Sequence, residues 1–327
     1  MRNRVQFWSV MALIVAALAA LPLFKPTVYI LGFLLILYMY AALASSWNII
    51  GGYAGYLSFG HAAFFGLGAY TTALLLFYLG WSPFLTLPLA GVLPALFAAL
   101  VGYPSLRLRG PYFSLVTLIL ALAVHIVILN APFTKGSSGL FLPFPPVDIF
   151  TNHAIFYEAM LGLLVVALLV LRWVEKSKMG IGLAAIREDE LAAQTLGVNT
   201  TGLKMRAFVL SAFLTGMIGG IYAYYQSYLH PSFVFDTLIS INIVLMALFG
   251  GRLSWLGPLL GATILSAVNE ALTIQVDAFV ARVVFGLLLM VVILFLPNGL
   301  MSYLKPAGER LLRRVPPRRR PVRHTEA

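Results

Sequence analysis

Runs of about twenty consecutive, mostly apolar residues recur along almost the whole chain. They lie near 7–24, 28–49, 60–80, 84–103, 111–131, 153–173, 206–226, 238–254, 256–274 and 278–297. A helix of that length matches the bilayer's hydrocarbon core of about 30 Å. Some ten such spans predict an all-α, polytopic membrane helical bundle. Composition agrees, because 61% of residues are hydrophobic and 10% charged, against roughly 45–50% and about 25% in soluble domains. Too little polar surface exists to cover a globule of this size, which excludes a soluble enzyme and a disordered chain. The first run follows Arg2 and Arg4 and contains Ala17-Leu18-Ala19, a signal-peptide look. With so many spans after it, it reads as a retained first helix.

Charge sets the orientation. Arg2, Arg4, Arg107, Arg109, the stretch from Arg172 to Arg206, Arg252 and the tail all fall on one side under this count. Lys25 and Lys135 fall opposite, as does Arg282 near the start of the last span. The positive-inside rule then places both termini in the cytoplasm. The spans and their connections form a transmembrane domain over 1–304, and 305–327 is a basic tail expected to be disordered. The tail carries eight basic and two acidic residues of a chain whose net charge is +11. Beside a membrane span it reads as a lipid-facing flank rather than a nucleic-acid site.

Two connections exceed turns: 132–152, rich in Pro and Gly and placed outside, and 174–205, charged and placed inside. The chain has no GxxxxGK[ST] phosphate loop, so ATP energy would have to come from a partner. It has no Cys, no HExxH, no Gly-x-Ser-x-Gly, and five scattered His residues, which argues against an intramembrane enzyme or a metal site. No cofactor is expected on the chain itself.

Within the inner connection, Gly182 to Gly197 has a helical pattern. Leu183, Ile186, Leu191, Ala193 and Leu196 share a broad apolar stripe, with Arg187, Glu188, Asp189 and Gln194 largely off it. Gly197 supplies a C-terminal stop. The segment suits either an interfacial helix in the headgroups or a docking helix for a soluble partner. Three consecutive acids, Glu188, Asp189 and Glu190, match an anionic lipid face poorly and favour the protein partner.

Leu191-Ala-Ala-Gln-Thr-Leu-Gly197 is similar to the EAA loop by which permeases of bacterial ATP-binding-cassette importers engage their ATPase subunits. Ala192, Ala193 and Gly197 keep the loop's core, while Leu191 stands at the usual Glu position with Glu190 one place earlier. The longer phrase from Ala185 to Ala193, followed by Gly197-Val-Asn and Lys204, resembles the LivM type of branched-chain amino-acid permease. Gly52 to Tyr70, Arg107-Leu-Arg-Gly-Pro-Tyr-Phe113, Thr134 to Leu140 and Leu296-Pro-Asn-Gly-Leu300 look like further landmarks of the same family.

The resemblance implies a permease subunit of the bacterial inner membrane, importing branched-chain amino acids. Implied partners are two cytoplasmic ATPase subunits that hold ATP and Mg, a homologous second permease forming a heterodimer, and a periplasmic or extracellular solute-binding protein. The binding protein is expected to dock against 132–152. Arg187, Glu188, Asp189, Glu190, Ala192, Ala193 and Gly197 are the expected ATPase-coupling residues. Permeases for urea, amides or other amino acids share this pattern. An ion-coupled carrier is disfavoured by the scarcity of membrane-embedded carboxylates.

Gly51, Gly52, Gly55, Gly60, Gly66 and Gly68 lie too densely for a plain lipid-facing helix. Such glycines either let neighbouring helices approach closely or unwind the helix beside a water-filled path. Asn48, Ser58 and His61 in the same segment favour the path, since polar groups in a span rarely face lipid. Gly51 to Ser58 also matches Gly250 to Gly257 in pattern, starting from Gly51-Gly52 and Gly250-Gly251, a faint internal repeat or a chance likeness. His125, Asn242 and Asn269 read as helix-to-helix hydrogen bonders. Glu270, Asp277 and Arg282 read as snorkelling or paired charges at the outer ends of the last spans, and Glu158 as an exposed interfacial acid.

Overall fold

The computed structural model describes residues 2–143, 147–277, 280, 283–287, 290 and 299–302. Among these, eight helices are long and apolar enough to cross a membrane. The helices run in the order α1 (Arg2–Ala19), α2 (Val28–Asn48), α3 (His61–Leu79), α4 (Pro83–Ser105), α5 (Pro111–Asn130) and α6 (Ile149–Lys176). Then come α7 (Lys178–Glu188), α8 (Glu190–Thr195), α9 (Thr200–Gln226), α10 (Pro231–Val234), α11 (Thr237–Gly250) and α12 (Gly257–Gln275). The first expected span is α1 followed by a 3-10 turn over Leu21–Phe24, and its apolar part, Trp8–Phe24, is shorter than the eight. Most of the expected span 278–297, Arg282 within it, and the tail 305–327 lie outside the described residues.

Local chemistry sets the helix ends. Proline stands in the first helical turn of α4, α5, α10 and α12, where its fixed φ suits the helix and its missing N–H costs nothing. Gly80 ends α3 in the left-handed region at φ 66°. Asp148, Asn199 and Asp236 cap the starts of α6, α9 and α11 with side-chain oxygens that accept backbone N–H groups.

Helices in lipid gain little from burying apolar surface against one another, so close backbone packing holds them together. α9 runs through the middle, with α3 and α4 against its glycine face. A Cβ on Gly216 would stand 2.3 Å from the Ala90 carbonyl oxygen, and one on Gly219 would stand 2.1 Å from that of Phe65. On the outside, Leu85, Leu89, Leu93, Leu96 and Leu100 of α4 form an exposed stripe at helical spacing, as do Leu115, Ile119, Leu122 and Ile126 of α5. These are lipid-facing surfaces.

The 132–152 connection does not hang free. Leu140–Phe141 (β1) pairs antiparallel with Tyr228–Leu229 (β2), Leu140 opposite Leu229 and Phe141 opposite Tyr228. The His230 ring Nε2 also lies 3.1 Å from the Ser137 carbonyl oxygen. This tie fixes the connection to the end of α9.

Candidate functional site

A cavity of about 1010 Å³ opens between α2, α11 and α12, with contributions from α6, α9 and Phe285, Gly286 and Met290. Its wall is mostly aliphatic and aromatic, including Phe33, Ile36, Leu37, Leu245 and Met246. Its polar members are Tyr29, Tyr40, Asn242, Ser266, Asn269 and Glu270, with His153 and Tyr225. The Tyr29 hydroxyl donates to Glu270 Oε1 across 241 positions of sequence. The buried Ser266 hydroxyl has no hydrogen-bond partner among the described residues.

Asn242, Asn269 and Glu270 all line the cavity, and Asn242 also hydrogen-bonds Tyr40 of α2, the helix-to-helix bond expected of it. The signal was present as a spacing: Ser266, Asn269 and Glu270 fall at i, i+3 and i+4 on one helix face. His125 departs from expectation. Its ring stacks on Phe235 at 5.9 Å, and its Nε2 has no hydrogen-bond partner among the described residues. Tertiary packing supplied an aromatic face where a helix-to-helix hydrogen bond was expected.

The glycine-broken segments lie beneath this cavity. α2 and α11 line it with their N-terminal and middle turns, and their C-terminal ends lead to Gly51-Gly52 and Gly250-Gly251. Between Asn48 and His61 the chain is unwound yet largely buried. Trp47 Nε1 donates to the Ser58 carbonyl at 2.8 Å, Asn48 Nδ2 to the Arg252 carbonyl at 3.1 Å, and Ser114 Oγ to the Leu57 carbonyl at 2.7 Å. His61 Nε2 lies 2.7 Å from Ser211 Oγ, which itself donates to the Ser46 carbonyl at 2.7 Å.

A Cβ on Gly52 would stand 2.6 Å from the Arg252 carbonyl oxygen, and one on Gly250 would stand 1.8 Å from that of Gly257. The two matching breaks thus meet each other. None of Asn48, Gly51, Gly52, Gly55, Ser58, His61, Gly250 and Gly251 lines the large cavity; they form a pinned joint below it. Unwinding and close packing, posed as alternatives, occur together.

The inner connection departs from one continuous helix. α7 ends at Glu188, Asp189 is extended at φ −156°, and α8 begins at Glu190. Asp189 Oδ1 accepts from the N–H groups of Leu191 at 2.8 Å and Ala192 at 3.0 Å, so one of the three acids is spent as a cap. The apolar stripe splits accordingly. Leu183, Ile186 and Ala193 are buried, whereas Leu191 is 58% and Leu196 83% exposed. Gly197 stops α8 at φ 81°, as expected.

The acids separate in the same way. Glu188 is exposed and paired with Arg187 at 2.7 Å. Glu190 turns inward, where Oε1 meets Lys204 Nζ at 2.5 Å and Oε2 accepts from the Tyr56 hydroxyl at 2.5 Å. Arg109 stands 3.6 Å away. Buried Lys204 also donates to the Tyr56 hydroxyl and the Leu106 carbonyl, each at 2.9 Å. Burial opposes ionisation of Glu190, but the Lys204 ammonium and the Tyr56 hydroxyl outweigh it and hold the carboxyl below its usual range. This one joint ties α8, the start of α9, the end of α4 and the unwound 49–60 segment together. The run of three acids gave no sign that Glu190 faces inward, because the helix break that turns it there lies at Asp189.

A helical bundle with lipid-facing sides, an internal cavity and a firmly anchored inner loop has the build of a membrane transport protein. Residues 29–294 match the family described as branched-chain amino acid transport system / permease component. The chain belongs to that family, and it is a multi-pass membrane protein. It is 31% identical over 296 residues to the high-affinity branched-chain amino acid transport system permease protein LivM of Salmonella typhimurium, covering 82% of this chain and 69% of that one. LivM of Escherichia coli matches to the same extent. BraD of Pseudomonas aeruginosa is 27% identical over 287 residues, with 80% of this chain and 91% of that one covered. No solved structure matches.

Proposed function

We propose that this chain is the inner-membrane permease subunit of an ATP-driven importer of branched-chain amino acids. Membership of the permease family over residues 29–294 carries the reading. On this reading both termini face the cytoplasm, ATP and Mg reside on two partner ATPase subunits, and the chain binds no cofactor of its own. A solute-binding protein docks outside at the 132–152 connection, whose tie to α9 gives it a firm platform. Similarity to LivM at 31% and to LivH at 24%, both of Escherichia coli, supports pairing with a second, homologous permease.

In this mechanism solute enters the cavity between α2, α11 and α12 while the glycine joint beneath is shut. The ATPase subunits grip the exposed Leu191 and Leu196 with Glu188, and their closure moves α7 and α8. The Glu190–Lys204 joint passes that motion to α9 and to the 49–60 segment. Arg187, whose side chain lies against Gly55, completes the contact with the joint.

Leu191→Asp with Leu196→Asp tests the docking. Both side chains are exposed, so the protein is expected to express and unfold like the parent. Capture of the ATPase subunit is expected to weaken by roughly tenfold or more per anchor, at hot-spot magnitude. ATP-dependent leucine uptake in reconstituted vesicles is expected to fall with it. Undiminished capture would place the ATPase contact elsewhere.

A further inference from the structure

The large cavity has a polarity of its own. Among the described lining residues, Glu270 is the one carboxylate and there is no Lys or Arg. Tyr29 donates to Oε1, and Oε2 accepts no hydrogen bond among the described residues. One helical turn away, the Ser266 hydroxyl is buried and has no partner among the described residues. A buried hydroxyl without a partner costs roughly 1–3 kcal/mol in a dry site. Ionisable side chains in spans almost always face a bundle interior or a water-filled space. The volume lies at the upper end of the roughly 300–1,000 Å³ usual for small-molecule sites, leaving room for a solute with water.

We propose that this cavity is an aqueous chamber that receives the solute by its ammonium group at Glu270, with the aliphatic side chain against Phe33, Ile36, Leu37, Leu245 and Met246. The inference rests on the transport reading and gives it a site and a selecting charge. Tyr29 is a positioning residue, holding the carboxylate at the α2 side of the chamber. With a carboxylate and no cation among the described lining residues, the chamber favours zwitterions and cations and disfavours anions that lack an ammonium group.

This chain has no cysteine, so a single introduced cysteine is its sole thiol, and labelling is read on this chain after separation from its partners. Ser266→Cys, with Asn269→Cys as a second probe, is placed in the assembled transporter in lipid vesicles. Cationic and anionic methanethiosulfonates of similar size are then added from the outer side. Both reagents are expected to label, the cationic one about tenfold faster through the focused negative field. Adding Glu270→Gln is expected to bring the two rates together, and saturating leucine to slow labelling several-fold.

Labelling by a membrane-permeant maleimide but by neither charged reagent would show a chamber filled by lipid or covered by the second permease, and would overturn the proposal. A rate ratio unchanged by Glu270→Gln, or no protection by leucine, would overturn it as well. Leucine uptake by the transporter carrying the parent chain separates the two claims. If uptake is present and either overturning result is obtained, the chamber is wrong and the transport reading stands. If uptake is absent, the transport reading fails and takes the solute assignment with it.

Discussion

Replacing Glu190 by Gln is expected to destabilise the inner face by about 3 kcal/mol, because it leaves the Lys204 ammonium buried without its counter-charge. The loss is expected as a lower unfolding temperature in detergent and as faster proteolysis within 178–200. Replacing both Glu190 and Lys204 by Met removes the buried charges together and is expected to recover most of that stability. Recovery of stability without recovery of uptake would separate a coupling role from a structural one. Acid acts on the same pair. Since the folded carboxyl titrates below its unfolded value, the pair's contribution is complete above about pH 5 and is lost only as pH falls through the depressed folded value. Unfolding temperature is therefore expected to be flat in this respect from pH 5 to 8. An unfolding temperature for Glu190→Gln equal to that of the parent would contradict the ion-pair account.

The second large effect is expected at the glycine joint. A Cβ on Gly250 would lie 1.8 Å from the Gly257 carbonyl oxygen, and one on Gly261 would lie 1.9 Å from that of Met246. α11 and α12 cross there backbone to backbone, at a Gly-x-x-x-Gly spacing from Gly257 to Gly261. Gly250→Leu cannot be accommodated by a rotamer change, because the obstacle is backbone. The helices must separate, at a cost of about 3 kcal/mol or more. Uptake is expected to be abolished and yield reduced. Gly162 of α6 is the control, with nothing within 4 Å of its Cβ position. Gly162→Leu is expected to be neutral, or to gain up to about 1 kcal/mol from helix preference. Equal behaviour of the two variants would rule out close packing as the reason for the glycine at 250.

These two sites differ in how far the sequence exposed them. The density of glycines at 51–68 and the echo at 250–257 marked the joint, and both breaks were visible as interrupted apolar runs. What they touch was not visible, since Asn48 and Arg252 meet across 204 positions. The inner loop was legible as amphipathic and as a likeness to a coupling loop. Its division at Asp189 was not, because a capping aspartate and an exposed helical aspartate read alike until the backbone angle is known.

Apolar run length, the Gly and Pro punctuation, and the loop motif by themselves determined a polytopic bundle, its spans and its family. These are local properties, set by bilayer thickness and by backbone chemistry within a few residues. The tertiary structure alone decided that Tyr29, Asn242, Ser266 and Glu270 share one cavity and that Glu190 pairs with Lys204. Which polar side chains meet depends on how each helix is rotated and how closely glycines let it approach its neighbours. No single span encodes that; it emerges when helices far apart in sequence pack together.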